Sequence, residues 1–327
     1  METYCWELTQ RLKQYGQLEV IALPGRPDGA PPTHGALIKF GLRAAIQLFG
    51  STAGELVHVG DAASWPLAWV AAQRHPQTRI VLSAHGSDLS YANRRGWRST
   101  LYGTYLRIGA KLLPKALVIA NSTWIARLAE EIGFQTVVRV PLATTFRRMS
   151  AVRNNGALLF AGRIAPAKGL AFIVEQVLPL LPASIRVRVA GTVWDAGEAR
   201  VLRSPRVDYL GSLSSDLLAA EYATAMCTVV PSLSAEGFGL TAVEAAAAGG
   251  VVIASNHSGL AEAVGPGIGF LEEPGNAPAW ARGINEVANW SPEQRESFIT
   301  RASSKASELY NWDRVVRDTL QAYGERT

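Results

Sequence analysis

The sequence predicts an α/β protein made of two doubly wound parallel sheets with a cleft between them. At 327 residues the chain is too long for one ordinary hydrophobic core. Short apolar runs alternate with helical patterns along its whole length, which is typical of parallel sheets covered by helices on both faces. The polar stretch at residues 147–156 contains Asn154-Asn155-Gly156 and interrupts this alternation, so it is the best candidate for a linker.

The predicted elements follow one another in a regular order. The chain opens on four residues at helical spacing, which predict an amphipathic helix over residues 2–15: Trp6, Leu8, Leu12 and Tyr15. The next apolar run predicts a buried strand at residues 18–23. Further strands are predicted at residues 55–59, 79–84, 116–120, 137–140, 157–161, 186–190, 207–210, 227–230, 250–254 and 269–271. The tail from residue 291 predicts two helices around Asn311-Trp312-Asp313.

Composition narrows the class of protein. A hydrophobic content of 48% with 18% charged residues is typical of a soluble globular protein with large buried sheets. No apolar run reaches the length of roughly 18 residues that a membrane-spanning helix needs. The two cysteines, Cys5 and Cys227, are far apart in the sequence and show no metal-ligand spacing, so no metal site is predicted.

Charge is unevenly distributed. Residues 1–150 contain 17 Lys and Arg against 9 Asp and Glu, whereas the remainder contains 15 against 18. A basic first half predicts an anionic partner for that half. No zinc finger, RNA-binding aromatic signature or Lys/Arg-rich arm occurs, so nucleic acid is not the expected partner. An anionic lipid surface or a phosphorylated substrate fits the charge at least as well.

Two loops of the second half combine features that a buried core does not need. In residues 160–169, Arg163 and Lys168 flank a proline-containing turn at a helix start, which would suit a diphosphate. The alternative is a solvated turn with ordinary surface charges. In residues 231–250, Glu236 and Glu244 are eight positions apart and can share one side of a helix beginning near Gly237.

The chemistry of the second loop suits a polyol. Carboxylates accept hydrogen bonds from ribose and sugar hydroxyls, and Gly237 and Gly239 allow backbone amides to approach a ligand closely. In the alternative interpretation, Glu236 is simply favoured by the helix dipole and Glu244 is a solvated side chain. This alternative explains the spacing of the two glutamates but not the paired glycines.

Two stretches of the first half also carry candidate residues. Ser83-Ala-His-Gly-Ser-Asp88 ends a predicted strand, where His85 could donate to a sugar hydroxyl or could simply cap the strand. Asp88 could instead cap a local turn. Residues 91–111 interleave basic with aromatic and apolar residues, which suits an anionic lipid interface or a lipid-diphosphate acceptor, or alternatively a solvated helix with its apolar face in the core.

The motifs together resemble a known family. The E-x7-E pattern from Glu236 to Glu244, preceded by Pro231-Ser232, is similar to that of the family-four retaining glycosyltransferases of GT-B fold, also called glycosyl transferases group 1. The upstream pair Arg163 and Lys168 matches the diphosphate-binding pair of that family. Three further segments also look like family segments: residues 207–212, residues 258–262 and Asn311-Trp312.

This resemblance implies a role for each candidate residue. His85 would contact the transferred sugar, and Arg163 and Lys168 would stabilise the leaving diphosphate in place of a metal. Glu236 would hold the donor sugar with the backbone amides that follow it, and Glu244 would hold the ribose hydroxyls. The implied nucleotide-sugar contacts are Arg163, Lys168, Leu210, Gly237, Phe238, Gly239, Leu240 and Glu244. The donor is a co-substrate, and no bound cofactor or metal is expected.

The resemblance also implies a domain plan. Residues 1–152 would form an acceptor-side Rossmann-like domain, residues 153–305 a donor-binding domain, and residues 306–327 a helix that crosses back to the first. Family members usually begin with a strand and a Gly-Gly loop, whereas this chain begins at the helix after them. Those two elements are therefore expected to be missing from the sequence, and a chain without them is expected to fold or work poorly.

The expected function is a retaining, metal-independent glycosyltransferase of surface polysaccharide or glycolipid synthesis. It would be cytoplasmic, with peripheral contact at the anionic inner face of the membrane. Two alternatives stay open: a GT-B sugar-nucleotide epimerase, which would need its own catalytic carboxylates, and a weakly active nucleotide-sugar-binding relic. Sugar, nucleotide and acceptor are not specified by these motifs.

Overall fold

The computed structural model describes residues 2–23, 25, 33–51, 54–93, 95–149, 154–265 and 267–324. Two compact units share these residues. Unit 1 is Met1–Pro141 with Asp313–Thr327, and unit 2 is Leu142–Trp312. The division at residue 141 precedes the predicted boundary at residue 152, because residues 142–149 are hydrogen-bonded to the rest of unit 2. Thr144 N donates to Tyr310 O at 3.0 Å, and Met149 N donates to Ala248 O at 3.2 Å. Residues 150–153 of the predicted linker lie outside the described residues.

Unit 1 contains a four-stranded parallel sheet. Its order is β1-β2-β3-β4, with strands at Leu56–Val59, Arg79–Ala84, Leu117–Ala120 and Thr136–Arg139. The helices are α1 (Glu2–Leu12), α2 (His34–Gly50), α3 (Trp65–Arg74), α4 (Ser87–Ser90), α5 (Trp97–Leu112) and α6 (Thr123–Ile132). Short 3-10 turns occur at Ala62–Ser64 and Tyr91–Asn93. Each strand pairs with the next in sequence, so all three crossovers advance in one direction. A right-handed crossover therefore places α3, α5 and α6 on the same face of the sheet.

Unit 2 contains a six-stranded parallel sheet of order β10-β9-β8-β5-β6-β7. The strands are β5 (Leu158–Ala161), β6 (Val187–Ala190), β7 (Val207–Gly211), β8 (Cys227–Val230), β9 (Val252–Ser255) and β10 (Phe270–Glu272). The helices are α7 (Leu170–Phe172, continued by a π-helical segment at Ile173–Val177), α8 (Ser215–Thr224), α9 (Leu240–Ala248), α10 (Ser258–Val264), α11 (Ala277–Ala288) and α12 (Pro292–Leu309). Three 3-10 turns complete the unit: Pro166–Lys168, Leu178–Leu180 and Glu198–Arg203.

The strand order of unit 2 reverses at β5. The chain leaves β5 toward β6 on one side and later returns through β8 on the other. In doubly wound sheets, ligands bind in the crevice outside the carboxyl ends of the strands at such a reversal. The loops after β5 and β8 are residues 162–169 and 231–239, which carry the candidate cations Arg163 and Lys168 and the carboxylate Glu236.

Helix α13 (Trp312–Tyr323) belongs to unit 1 from Asp313 onward. Its Val316 and Leu320 form a small apolar cluster with Leu12 of α1. Half-buried His58 bridges the helix to the sheet, since its Nδ1 lies 2.5 Å from Tyr323 Oη and its Nε2 lies 2.8 Å from Ser83 Oγ. Burial lowers the pKa of His58 to about 4, so this imidazole is neutral at physiological pH.

Ten of the eleven predicted strands are confirmed, with small shifts at their ends, as are the two helices of the tail. The predicted strand at residues 18–23 is wrong. That segment forms no ladder, and its Leu18 and Val20 side chains are 41% and 49% exposed. An apolar run becomes a strand only where a neighbouring strand pairs with it, and no strand of the described sheet pairs with this segment. The first helix ends at Leu12, short of Tyr15.

Membrane-spanning helices are not found among the described residues, because none combines the required length with sufficient hydropathy.

Candidate functional site

A cavity of about 230 Å³ opens at the carboxyl edge of the sheet of unit 2. It lies where β5, β6 and β7 end and where α8 and α9 begin to cover the sheet. Its lining is mostly backbone and small or apolar side chains: Ala161, Gly162, Ala190, Gly191, Ser212, Leu213, Leu218, Tyr222, Thr241 and Glu244. An apolar cavity with a few polar groups at its rim is the usual form of a small-molecule site.

Close backbone packing forms one wall of this cavity. A Cβ atom on Gly191 would lie 1.8 Å from Gly162 O, and the φ of Gly191 is +144°. Only glycine fits at this position, because any side chain would collide with the loop after β5. Tyr209 holds the same peptide by donating from Oη to Gly191 O at 2.9 Å. The loops after β5 and β6 are therefore held together, with bare backbone beside the cavity.

Glu244 is the one carboxylate in the cavity lining. It lies on α9 and accepts a hydrogen bond of 3.3 Å from Tyr222 Oη of α8. Burial raises the pKa of Glu244 to about 7, and the Tyr222 hydrogen bond only partly offsets this effect. A half-buried carboxyl group that titrates near neutral pH can accept hydrogen bonds from hydroxyl groups of a bound ligand and would ionise more readily when it does.

The loops after β5 and β8 meet at an ion pair. Lys168 Nζ lies 2.8 Å from Glu236 Oε1, and the two side chains are only 26% and 15% exposed. Ser232 Oγ donates to the same carboxylate oxygen. The backbones are joined as well, because Leu233 N donates to Ala167 O at 3.0 Å. The sequence placed Lys168 and Glu236 in separate functional groups, whereas the structure joins them in one cluster.

Residues after β9 hold the backbone of Glu236 by hydrogen bonds. Glu236 N donates to Ser258 Oγ at 2.8 Å, and Gly259 N donates to Glu236 O at 3.0 Å. Ser258 has a φ of +54°, an unusual value for a residue other than glycine, at a point where its hydroxyl group serves this contact. His257 Nε2 donates to Ser232 O at 2.7 Å. Sequence reasoning missed His257, and its only signal was its place beside the family-like segment at residues 258–262.

Helix α9 begins at Leu240, three residues later than the predicted start near Gly237. Gly239 has a left-handed φ of +100°. A right-handed helix does not contain such a φ, so Gly239 is the last residue of the loop. A Cβ there would lie 2.4 Å from Leu260 Cδ1, so α10 packs directly against this turn. The backbone from Gly237 to Leu240 therefore lies between Glu236 and the helix. Phe238 itself is buried with its ring 5.4 Å from that of Tyr310, which makes its side chain part of the core.

Arg163 stacks on an aromatic ring. Its guanidinium carbon lies 4.7 Å from the ring centroid of Trp194, in the loop after β6. Trp194 is 47% exposed, and its backbone N donates to Ile164 O at 3.0 Å. Sequence reasoning missed Trp194, because a contact between residues this far apart leaves no local signal.

Leu210 lies within β7 and is half-buried. The cavity lining contains Ser212 and Leu213, which follow that strand, and not Leu210. The segment that was expected to contact the nucleotide-sugar therefore reaches the cavity through the two residues that follow the strand.

His85 belongs to unit 1, where it follows β2. Both nitrogens of its imidazole are buried, and neither makes a hydrogen bond of ordinary geometry within the described part of the chain, although the backbone of Gly60 lies near enough to favour the protonated ring. Burial lowers the pKa of His85, so the ring is neutral. Its backbone is fixed, since Asn121 Nδ2 donates to His85 O at 2.8 Å. A neutral imidazole with unsatisfied nitrogens on a fixed loop is suited to hydrogen bonding with a ligand.

Asp88 caps this loop, as its alternative interpretation proposed. Its carboxylate accepts from Gly86 N at 2.7 Å, from His85 N at 3.1 and 3.2 Å, and from Ala62 N at 3.4 Å. Asp88 thus orients His85 through the backbone.

Replacing Asp88 with alanine is therefore expected to lower the free energy of unfolding. Three backbone N–H groups would lose a charged acceptor, and a loss of about 1.5–3 kcal/mol follows from the usual strength of such bonds. Asp88→Asn keeps one acceptor oxygen and should lose less. Urea denaturation of both variants measures the difference, and equal stability of Asp88→Ala and the unaltered chain would contradict this role.

Comparison with known proteins supports the fold and one family. Residues 145–305 match the family model described as glycosyl transferases group 1. The chain is 31% identical over 197 residues to a D-inositol 3-phosphate glycosyltransferase of Salinispora tropica, covering 55% of this chain and 40% of the relative. It is 28% identical over 199 residues to a lipopolysaccharide 1,2-N-acetylglucosaminetransferase of Salmonella typhimurium, covering 56% and 52%. The match thus spans about half the length of these curated relatives or less.

Solved structures extend the likeness to the whole fold. HepE from Anabaena, in complex with UDP and glucose, superposes with a TM-score of 0.73 at 19% identity, covering 97% of this chain and 89% of that one. Sucrose-phosphate synthase from Thermosynechococcus elongatus gives 0.75 at 20% identity, covering 92% and 82%. The predicted fold class is confirmed. Residues 145–305 match the glycosyl transferases group 1, and the two parallel sheets are those of a GT-B fold.

Proposed function

We propose that this chain is a retaining glycosyltransferase that moves a sugar from a nucleotide diphosphate-sugar to a glycan or a lipid-linked acceptor. The observation that carries the proposal is the cavity at the carboxyl edge of unit 2, lined by Glu244 and bounded by the loop that bears Arg163 and Lys168. A recess, a carboxylate for hydroxyl groups and two cations match the base, the ribose and the diphosphate of such a donor.

Each part of the donor has a candidate partner. The base would enter the cavity beside Ser212 and Leu213, and the ribose hydroxyls would donate to Glu244. The diphosphate would bind Arg163 and Lys168. The donor sugar would bind Glu236 and the backbone from Gly237 to Leu240. The role proposed for His85 is a hydrogen bond to the transferred sugar.

The chemistry needs charge stabilisation more than a strong base. The bond between the sugar C1 and the diphosphate oxygen breaks, and its electron pair leaves with the diphosphate. The acceptor hydroxyl bonds to C1 on the same face and passes its proton to the leaving phosphate oxygen. Arg163 and Lys168 would stabilise the developing negative charge without a metal ion, and configuration at C1 would be retained.

The proposed setting is the synthesis of a surface polysaccharide or glycolipid in the cytoplasm. The Salmonella relative, a lipopolysaccharide 1,2-N-acetylglucosaminetransferase, supports this setting. HepE, whose structure was solved in complex with UDP and glucose, supports a nucleotide-sugar donor.

Thermal unfolding of the chain with a panel of UDP- and GDP-sugars and a metal chelator tests the proposal. A ligand that binds only the native state raises the melting temperature by mass action. We expect a shift with one donor that Glu244→Ala abolishes and that Glu286→Ala, an exposed carboxylate on α11, leaves intact. No shift with any donor would contradict the proposed function.

Trp194→Ala is expected to raise the KM for the donor by about two- to thirtyfold, the range of a cation–π contact. Arg163 would lose the ring that holds its guanidinium in place. Trp194→Phe keeps an aromatic face and should recover most of the affinity. Donor titration of both variants checks this, and an unchanged KM in Trp194→Ala would show that the stacking does not position Arg163.

A further inference from the structure

The three helices α2, α3 and α5 form one outer layer of unit 1. Helix α3 packs on β1 and β2, and both α2 and α5 pack against α3. Since α3 and α5 cover the same face of the sheet, their exposed sides point away from it, and α2 extends this layer at its edge. The exposed side chains of the three helices are called the outer face below.

The outer face is unusually apolar. On α2, Ile38, Leu42, Ile46 and Phe49 recur at helical spacing and are 65%, 62%, 72% and 63% exposed. The same helix buries Ala44 on its opposite side, so it is apolar on both sides. Other exposed apolar residues continue across the layer: Leu37, Trp69, Trp97, Leu101, Ile108 and Leu112. Large apolar side chains exposed on helices that pack side by side are typical of an interaction site.

The outer face is also uniformly basic. The three helices contain six Lys or Arg residues and no Asp or Glu: Lys39, Arg43, Arg74, Arg98, Arg107 and Lys111. All six are exposed, and within the described ranges none forms an ion pair. The cations lie beside apolar rings, since Arg74 Cζ is 5.6 Å from the Phe49 ring centroid and Arg98 Cζ is 5.3 Å from that of Trp97.

Charge decides which partner this face fits. A second copy of the chain would bring the same six cations against themselves, and like charges oppose such a contact. A bilayer with anionic headgroups offers the complement to both features, because apolar side chains enter the acyl region while Lys and Arg remain at the phosphates.

We propose that the outer face docks on an anionic lipid bilayer, with the α2 stripe inserted and the cations of α5 at the headgroups. This goes beyond the proposed transfer reaction and rests on it only in that a lipid-linked acceptor would lie in the same bilayer. Helix α2 is the new element, because the sequence pointed to residues 91–111 alone.

Sedimentation of the full chain with vesicles tests the proposal. The vesicles contain phosphatidylcholine alone or phosphatidylcholine with phosphatidylglycerol. We expect binding to the anionic vesicles that weakens as salt rises. Arg107→Gln with Lys111→Gln should weaken it about thirtyfold, given the usual contribution of each cation near such a surface. Leu42→Ser with Ile46→Ser should weaken it about tenfold or more.

A matched control removes two exposed cations from unit 2, Arg203→Gln with Arg301→Gln, and should leave vesicle binding unchanged. Equal losses in the control would show a nonspecific charge effect and overturn the proposal. So would the absence of vesicle binding together with a concentration-dependent dimer that Leu42→Ser with Ile46→Ser disrupts. The donor-induced thermal shift is measured on every variant. A retained shift shows a folded protein and separates failure of docking from failure of the proposed function.

Discussion

Glu244→Gln is expected to stabilise the ligand-free protein at alkaline pH while weakening its affinity for the donor. The pKa of Glu244 is about 7, against an ordinary value of 4.5. Its protonated form is therefore favoured in the folded state, and stability falls as pH rises from the ordinary value through about 7. Glutamine resembles the protonated form and avoids that loss. The variant should therefore unfold at higher urea concentration than the unaltered chain above about pH 7.

Donor affinity should depend on pH in the opposite direction. Ribose hydroxyls donate to the carboxylate, so affinity in the unaltered chain should rise as pH passes through about 7 and then level off. The affinity of Glu244→Gln should not rise in this way. Above about pH 7 the variant should bind the donor about 10–100 times more weakly than the unaltered chain does, because it lacks the charge-assisted hydrogen bonds. Calorimetric titration across this pH range measures both effects. A pH-independent affinity in the unaltered chain would show that Glu244 does not contact the donor.

Lys168→Ala is expected to lower turnover by about 10²–10³, the usual effect of removing one group that stabilises developing negative charge. The structure adds a second consequence, because Glu236 would lose its ion-pair partner at 2.8 Å. Lys168→Arg keeps the charge and should retain most of the activity if the charge is what matters.

Lys305→Ala is the matched control, since Lys305 forms a surface ion pair with Glu308 on α12, far along the chain from the cluster. Its turnover should not change, because exposed pairs contribute little. A loss of only a few-fold in Lys168→Ala, measured as donor consumption at saturating donor, would mean that Lys168 balances Glu236 without acting on the diphosphate.

The sequence was most informative where a signal is local. Parallel strands buried on both faces are short apolar runs, and ten of them lie where these runs predict. The same logic failed at residues 18–23, because pairing depends on a neighbour that the run itself does not reveal. The loops after β5 and β8 were also identified from sequence, since glycines, prolines and charges at strand ends are local features.

Contacts between distant segments were not predictable. The Lys168–Glu236 pair, the stacking of Arg163 on Trp194 and the hydrogen bond from His257 to Ser232 each join residues from different crossovers. Helix α2 illustrates a further limit. Helical periodicity is the same whether an apolar stripe faces a core or solvent, so only the structure shows that Ile38, Leu42 and Ile46 are exposed.

The most direct test of the proposed reaction is proton NMR of donor breakdown by the full chain, with a chelator and without an acceptor. Water then takes the place of the acceptor hydroxyl. The donor is the α-configured sugar nucleotide that raises the melting temperature of the chain. We expect it to give free nucleoside diphosphate and a sugar that is released first as the α-anomer. Release of the β-anomer first, or conversion of the donor into an epimeric sugar nucleotide, would contradict the account.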